Sequence, residues 1–139
     1  MIRSAEEFVA IVDSGDEADA RRASQDEAPL DVWLRVIELH PDLRFQVAQN
    51  KTVPAEVLER LAEDPDARVR GMVARKRKAS AEILAKLAVD SDSGVRLAVA
   101  YNPSTPREVL ELQRNDLWEE IARKATDRLV GGPQLGTFQ

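Results

Sequence analysis

Apolar side chains occur along this chain in pairs of short helical stripes. The first stripe of a pair places apolar residues at spacings of i, i+3 and i+4, as in Val69, Met72 and Val73. After a short polar break the second stripe begins, as in Ile83 and Leu87. Residues at these spacings share one face of an α-helix. The pattern therefore predicts alternating short helices, which we call helix A and helix B.

The pair of helices repeats along the chain, and each step from one copy to the next is 26 residues. The aligned sets are Leu43, Val69 and Val95; Arg44, Arg70 and Arg96; Glu56, Glu82 and Glu108; and Asp64, Asp90 and Asp116. One pair cannot bury its apolar stripes alone, whereas stacked pairs form a continuous core. The predicted fold is therefore all-α: a short right-handed α-solenoid of stacked helix pairs.

Weaker copies of the pattern extend the repeat toward both ends. Val32 and Trp33 match Val57 and Leu58 at an offset of 25 residues, which predicts that Trp33 packs in the core. We expect about four repeats of 25–26 residues within one domain, residues 1–130, followed by a flexible tail. Its predicted parts are an N-terminal cap and degenerate repeat (1–39), three repeats (40–65, 66–91 and 92–117), a capping helix (118–130) and the tail (131–139).

Local sequence signals indicate where individual helices begin and end. Ser4-Ala-Glu-Glu7 and Thr105-Pro106-Arg107-Glu108 are predicted capping boxes, in which the hydroxyl accepts a hydrogen bond from the first turn. Gly15 is predicted to end the first helix. Asn50 and Asn102 stand just past helix A and are predicted to adopt the left-handed conformation.

The repeat resembles the leucine-rich repeat variant, a family that is structurally close to HEAT repeats. The residues that carry the resemblance are Val95-Arg-Leu-Ala-Val-Ala-Tyr-Asn-Pro-Ser-Thr-Pro-Arg-Glu-Val-Leu110, which follow the family's Val-Arg-x-x-Val-Ala-x-Asn-Pro-x-Thr-Pro-x-x-Val-Leu pattern almost throughout. The resemblance covers residues 40–126 and implies short, sometimes 3₁₀, first helices that alternate with longer α-helices. The middle unit departs from it, with Arg75-Lys-Arg-Lys78 where the family has Asn-Pro.

Composition narrows the functional classes. The chain has 139 residues, a formal net charge of -5, one histidine and no cysteine. The iron–sulfur cluster that some relatives hold on cysteines therefore cannot be carried over, and neither disulfides nor thiolate metal sites can form. No phosphate-binding loop or metalloprotease spacing occurs, so we expect a non-enzyme without cofactor or metal. No apolar stretch approaches the roughly 18 residues of a membrane span, so we expect a cytoplasmic protein without membrane contact. We also expect a monomer.

Two groups of basic residues are candidate partner-binding sites. Stacking would set Arg44, Arg70 and Arg96 in a row, either as a ladder for an acidic strip on a partner or as scaffold, each paired with Asp or Glu of the adjoining repeat near Asp66, Asp92 or the helix termini. The second group consists of Arg75, Lys76, Arg77 and Lys78, which form either a contact for an acidic partner or a solvated turn between helices.

Trp118 is a third candidate, because a half-exposed tryptophan is a common interface anchor. The interpretation that the sequence favours is packing against the preceding repeat. The function predicted overall is a protein–protein interaction module with a partner that bears an acidic strip. One alternative is an immunity or antitoxin-like protein that neutralises a basic toxin. Another is nucleic-acid binding through the basic turn, as in HEAT-like DNA glycosylases, which the acidic charge balance disfavours.

Overall fold

The computed structural model describes residues 1–130, and these residues contain α-helices, one 3₁₀ turn and no strand. The helices are α1 (Ala5–Asp13), α2 (Glu17–Gln25), α3 (Leu30–Leu39), α4 (Arg44–Gln49), α5 (Ala55–Leu61), α6 (Ala67–Ala74), α7 (Ala81–Leu87), α8 (Ser93–Tyr101), α9 (Arg107–Gln113) and α10 (Glu119–Val130). The predicted all-α fold of stacked helix pairs is confirmed. The predicted flexible tail, 131–139, lies outside the described residues.

The predicted helix types follow the repeat in order. Helix A forms α4, α6 and α8, and helix B forms α5, α7 and α9. A 3₁₀ turn, Pro41–Leu43, leads directly into α4, as the family resemblance implies for a first helix. Apolar stripes account for most of these elements, because the helices bury residues that recur at helical spacing, whereas α2 buries only Ala23.

Backbone contacts divide the chain into two compact units, and the first comprises Met1–Met72. Phe8 and Trp33 are fully buried in its core, with ring centroids 5.4 Å apart and ring planes at 79°. This edge-to-face arrangement is favourable for two aromatic rings beyond the area that they bury. The prediction that Trp33 packs in the core is confirmed.

The second unit begins at Val73. Its helix α10 packs against α8 and α9 and buries Ile121, Ala125 and Leu129. Near the end of α10, the Arg128 guanidinium donates hydrogen bonds to the carbonyls of Ala100 and Asn102, at 2.7 and 2.8 Å. These bonds satisfy carbonyls at the C-terminal end of α8 that have no partner within the helix.

Helix ends confirm some of the local predictions. The Ser4 hydroxyl accepts from the Glu7 amide at 3.0 Å and caps α1, and the Glu7 carboxylate accepts from the Arg3 amide at 2.7 Å. Gly15, with φ at +71°, follows the end of α1 and supplies the left-handed backbone that glycine adopts at little cost. The predicted stop at Gly15 is therefore confirmed.

The predicted capping box at Thr105 is wrong. Helix α9 begins at Arg107 with Pro106 as its N-cap, in register with Pro54 and Ser80 in the preceding repeats. Thr105 is buried and its hydroxyl donates to the Val99 carbonyl at 2.6 Å. The Val99 carbonyl accepts this hydroxyl together with the Asn102 amide, so the hydroxyl is not available to cap α9.

The predicted left-handed asparagines are also wrong. Asn50 and Asn102 have φ values of -64° and -71° and are extended. Both side chains are buried, and their amides donate to backbone carbonyls of an earlier helix end. Their backbone conformation therefore serves contacts between helix pairs and not only the end of one helix.

Candidate interaction surface

Arg44 is held within the first unit by a carboxylate and a carbonyl. Its Nη1 lies 3.2 Å from Oδ1 of Asp64, and its Nε donates to the Ile37 carbonyl at 2.8 Å. The Arg44 side chain is 23% exposed and that of Asp64 is 7% exposed. Asp64 also accepts from the Asp66 amide at 2.9 Å, so the carboxylate has partners on both oxygens. This pair joins α4 to the turn that follows α5.

Arg96 repeats this arrangement in the second unit. Its Nε and Nη2 donate to both oxygens of Asp116, at 2.9 and 3.3 Å, and its Nη1 donates to the Asp90 carbonyl at 2.8 Å. Burial by itself would raise the pKa of Asp116, but the hydrogen bonds from Arg96 and from the Trp118 amide lower it below its usual value. Asp116 is therefore a charged partner of Arg96 near neutral pH.

Arg70 takes the matching position between these two arginines in the sequence. Its Nη1 donates to the carbonyls of Asp64 and Pro65, at 2.7 and 3.1 Å. The bond to Asp64 corresponds to the bond from Arg96 to Asp90, since each spans six residues. All three arginines of the row therefore bind groups of their own chain.

The scaffold interpretation placed the partners of the arginine row near Asp66, Asp92 or the helix termini, and carbonyls at or just past helix ends do bind all three arginines. Asp66 binds the Arg68 guanidinium at 2.9 Å, and Asp92 caps α8 by accepting from the Val95 amide at 3.1 Å. The carboxylates that bind Arg44 and Arg96 stand 20 residues further along the chain. That spacing was present in the sequence, because the aspartates at 64, 90 and 116 share the period of the arginines. A role of the row in partner binding stays a prediction.

The basic residues Arg75, Lys76, Arg77 and Lys78 form the connection between α6 and α7. Arg75, Arg77 and Lys78 are exposed, and Lys76 is partly buried. Partial desolvation of the Lys78 ammonium disfavours its charged form and lowers its pKa. The Lys76 amide donates to Val73 at 3.0 Å, just as the Asn102 amide donates to Val99 at 3.1 Å. This turn therefore keeps the backbone bond of its counterpart although it lacks Asn-Pro.

Trp118 lies between α9 and α10 and is 54% exposed. That its side chain packs against the preceding repeat stays a prediction. Its amide donates to Oδ1 of Asp116 at 2.8 Å, and its carbonyl accepts from Ile121 in the first turn of α10. The backbone of Trp118 is thus held in place by the Arg96 partner Asp116, while half of its side chain faces solvent.

Further large apolar side chains are exposed in the second unit. Val89, Leu112 and Leu117 line one depression of about 350 Å³ that also includes Arg96 and Asp116. Leu117 is fully exposed, and Val89 and Leu112 are exposed by more than half. We call Val89, Leu112, Leu117 and Trp118 the apolar cluster.

Sequence reasoning missed three members of the apolar cluster. Leu112 lies off the stripe formed by Val109 and Leu110, and Val89 follows the last turn of α7. An apolar residue outside the helical stripe was the available signal, because a packed helix points such positions to solvent. Exposed apolar side chains that adjoin one another mark an interaction site more often than isolated ones do.

Residues 1–130 have neither a candidate metal-binding group nor a helix that could span a membrane. They contain no group of three or more histidines, aspartates or glutamates placed to hold a metal ion. None of their helices is both long enough and apolar enough to cross a membrane. Glu56, Glu82 and Glu108 lie in the first turns of α5, α7 and α9, where the helix dipole favours negative charge.

Comparisons with known proteins agree with the repeat. The family model of the leucine-rich repeat variant matches residues 41–66 and 94–116. These segments contain the helix pair α4 and α5 and most of the pair α8 and α9. No curated protein and no solved structure matches the chain. The resemblance seen in the sequence is confirmed for these two segments, and the chain is a helical-repeat protein.

Proposed function

We propose that this chain is a non-enzymatic protein–protein interaction module that binds a partner protein through the apolar cluster. The observation that carries the proposal is the exposure of Val89, Leu112 and Leu117 around one depression of the second unit, together with the exposure of Trp118, which follows Leu117 in the chain. Soluble domains rarely leave several large apolar side chains together in water without a binding role. The family match supports the proposal, since helical repeats of this kind are typically interaction modules.

The geometry of the apolar cluster suits an interface. Trp118 offers a large side chain whose backbone is already fixed by Asp116, so that binding costs little conformational entropy. Arg96 and Asp116 adjoin the depression but satisfy each other, so burial under a partner leaves no unpaired charge. Tryptophan is also among the residues that contribute most to binding energy in interfaces.

Site-specific photocrosslinking tests the proposal. Benzoyl-phenylalanine is placed at Trp118 or Leu117 and, as a control, at Glu59 of α5, which is exposed in the first unit. Each protein is irradiated in lysate of the source cell, and adducts are identified by mass spectrometry. We expect one recurring adduct from positions 118 and 117 that excess wild-type protein suppresses and that Leu112→Asp abolishes.

Two results would refute docking at the apolar cluster. One is an equal set of adducts from position 59 and from position 118, which would indicate nonspecific contact. The other is the absence of any adduct that wild-type protein suppresses. An immunity-like protein would give a single adduct with a basic enzyme, so the identity of the adduct also separates this alternative from a general scaffold role.

A further inference from the structure

A second surface of the same unit has a different chemistry. A groove of about 320 Å³ runs along one face of α8. Gly94, Leu97, Ala98 and Tyr101 line it at spacings of i, i+3, i+4 and i+7, so they form one continuous helical face. The lining is mostly apolar. No residue of the apolar cluster lines this groove, so the two surfaces can be tested separately.

Cationic side chains stand at the edges of the groove. Arg75 is exposed and lines one edge, and within residues 1–130 its guanidinium makes no hydrogen bond or ion pair. Lys124 of α10 places its Nζ 4.5 Å from the centroid of the Tyr101 ring. Among residues 1–130 no carboxylate lines the groove, and the nearest one at its Gly94 end, that of Asp92, caps α8. The groove therefore combines an apolar floor with positive edges, although the whole chain is acidic.

The floor of the groove is held in a fixed shape. Asn102 at its end is buried and donates to the carbonyls of Ala74 and Lys76, which fixes the end of α8 to the start of the basic turn. Ser104 strengthens this connection by donating to the Arg77 carbonyl at 2.6 Å. Gly94 and Ala98 have small side chains, so a ligand can approach the backbone of α8 closely.

We propose that this groove binds a short acidic segment of a partner protein. One aliphatic or aromatic side chain of that segment lies on the floor between Leu97 and Tyr101, and its neighbouring carboxylates bind Arg75 and Lys124. Guanidinium–carboxylate hydrogen bonds are charge-assisted and stronger than neutral ones. The proposal rests on the proposed function, because it too assigns a protein partner, but it names a separate surface and the chemistry of the ligand.

The groove favours an acidic peptide over a nucleic acid. A phosphate backbone needs several cations in a row, whereas among the described residues Arg75 is the one cation that lines the groove, and Lys124 lies over the Tyr101 ring. The net charge of -5 also repels a long polyanion more strongly than it repels a short peptide. An aliphatic side chain gains free energy when it is buried on the apolar floor, whereas a charged sugar–phosphate chain does not.

Binding of defined peptides to the full chain tests the proposal. The probes are synthetic nine-residue peptides with a central leucine or phenylalanine flanked by aspartates and glutamates. Matched peptides replace the central residue by serine or all the acids by lysine. A twelve-nucleotide single-stranded DNA serves as the polyanion. Amide ¹H–¹⁵N spectra locate the binding site, and fluorescence anisotropy gives the affinity.

We expect saturable shifts at Gly94, Leu97 and Tyr101 with the acidic leucine or phenylalanine peptide. The serine peptide and the Arg75→Glu variant should each bind about tenfold more weakly, the effect of losing one such contact. Arg114→Glu is the matched control, because Arg114 is an exposed arginine of the same unit that lies outside the groove.

Several outcomes overturn the inference: no saturable binding by any acidic peptide, an unchanged affinity for Arg75→Glu, or tighter binding of the DNA. If the peptides fail while the adduct at Trp118 persists, the inference is wrong and the proposed function stands. If the peptides bind and no adduct forms at Trp118, the chain binds protein through the groove and docking at the apolar cluster is wrong.

Discussion

Asn102 at the end of α8 donates its side-chain amide to the carbonyl of Ala74 at the end of α6, across a distance of 2.7 Å. The same amide donates to the Lys76 carbonyl at 2.8 Å, and the Asn102 Oδ1 accepts from the Ser104 amide at 2.8 Å. In the first unit, Asn50 donates in the same way to the carbonyls of Ala23 and Asp26. In both units, a buried asparagine at the end of one helix thus binds carbonyls at the end of an earlier helix.

The first prediction concerns this amide. Asn102→Ala removes a donor from the Ala74 and Lys76 carbonyls, and the Lys76 carbonyl keeps the Ala79 amide at 3.1 Å. The loss at Ala74 should lower the free energy of unfolding by about 1 to 3 kcal/mol. Asn115→Ala is the control, because Asn115 is exposed in the turn after α9 and should change stability by about 0.5 kcal/mol at most. Urea unfolding followed by circular dichroism measures both. Equal effects would show that the amide of Asn102 does not stabilise the stack.

The second prediction concerns the ion pair between Arg96 and Asp116. Replacing one partner leaves the other charge partly buried and unpaired, so Arg96→Ala should cost about 3 kcal/mol. Arg114→Ala should cost about 0.5 kcal/mol or less, because its bond to Glu111 is exposed. A double-mutant cycle with Asp116→Asn isolates the pair. Additive effects of the two substitutions would contradict a direct contribution.

The third prediction is the pH dependence of that pair. The pKa of Asp116 is lower in the folded protein than its usual value. Its contribution is therefore complete above the unfolded pKa of about 3.9 and is lost as the pH falls through the folded pKa. The difference in unfolding free energy between wild type and Asp116→Asn should be constant from about pH 7 to 5 and shrink below about pH 4. A difference that grows on acidification would contradict the assignment.

The fourth prediction concerns Gln113, which stands where Leu61 and Leu87 occur in earlier repeats. Its side chain is buried, with Nε2 donating to the Arg96 carbonyl at 2.8 Å and Oε1 without a partner. Gln113→Leu removes this unpaired oxygen and should stabilise the chain by about 1 kcal/mol, as measured by urea unfolding. Gln113→Glu keeps the shape but adds a buried charge and should destabilise. Destabilisation by leucine would show that the bond to Arg96 outweighs the unpaired oxygen.

The fifth prediction separates the two tryptophans. Trp118→Ala should change the free energy of unfolding by less than about 1 kcal/mol and abolish the photocrosslinked adduct formed from Leu117. Trp33→Ala should cost about 3 to 5 kcal/mol, because it empties a fully buried site against Phe8. Thermal unfolding followed by tryptophan fluorescence checks both. A large loss of stability in Trp118→Ala would indicate that Trp118 belongs to the scaffold.

The apolar spacing along the chain by itself determined the helices, their order and their buried faces. Val95 and Val99 are buried on α8, and Trp33 is buried on α3, as the stripes predicted. These properties are local, because residues at i, i+3 and i+4 share a helix face in any surrounding. The period of 26 residues extended the local pattern to a stack of pairs and to the family that the chain resembles.

Only the tertiary structure decided how polar groups pair and which apolar groups stay exposed. Thr105 and Asn102 bind partners at helix ends other than the ones that single-helix motifs assigned to them. Asp116 binds both Arg96 and the Trp118 amide, and the Trp118 side chain is 54% exposed, which no spacing indicates. Such contacts depend on which chain segments meet in space, and hydrogen-bond partners are chosen there among several groups of similar local chemistry.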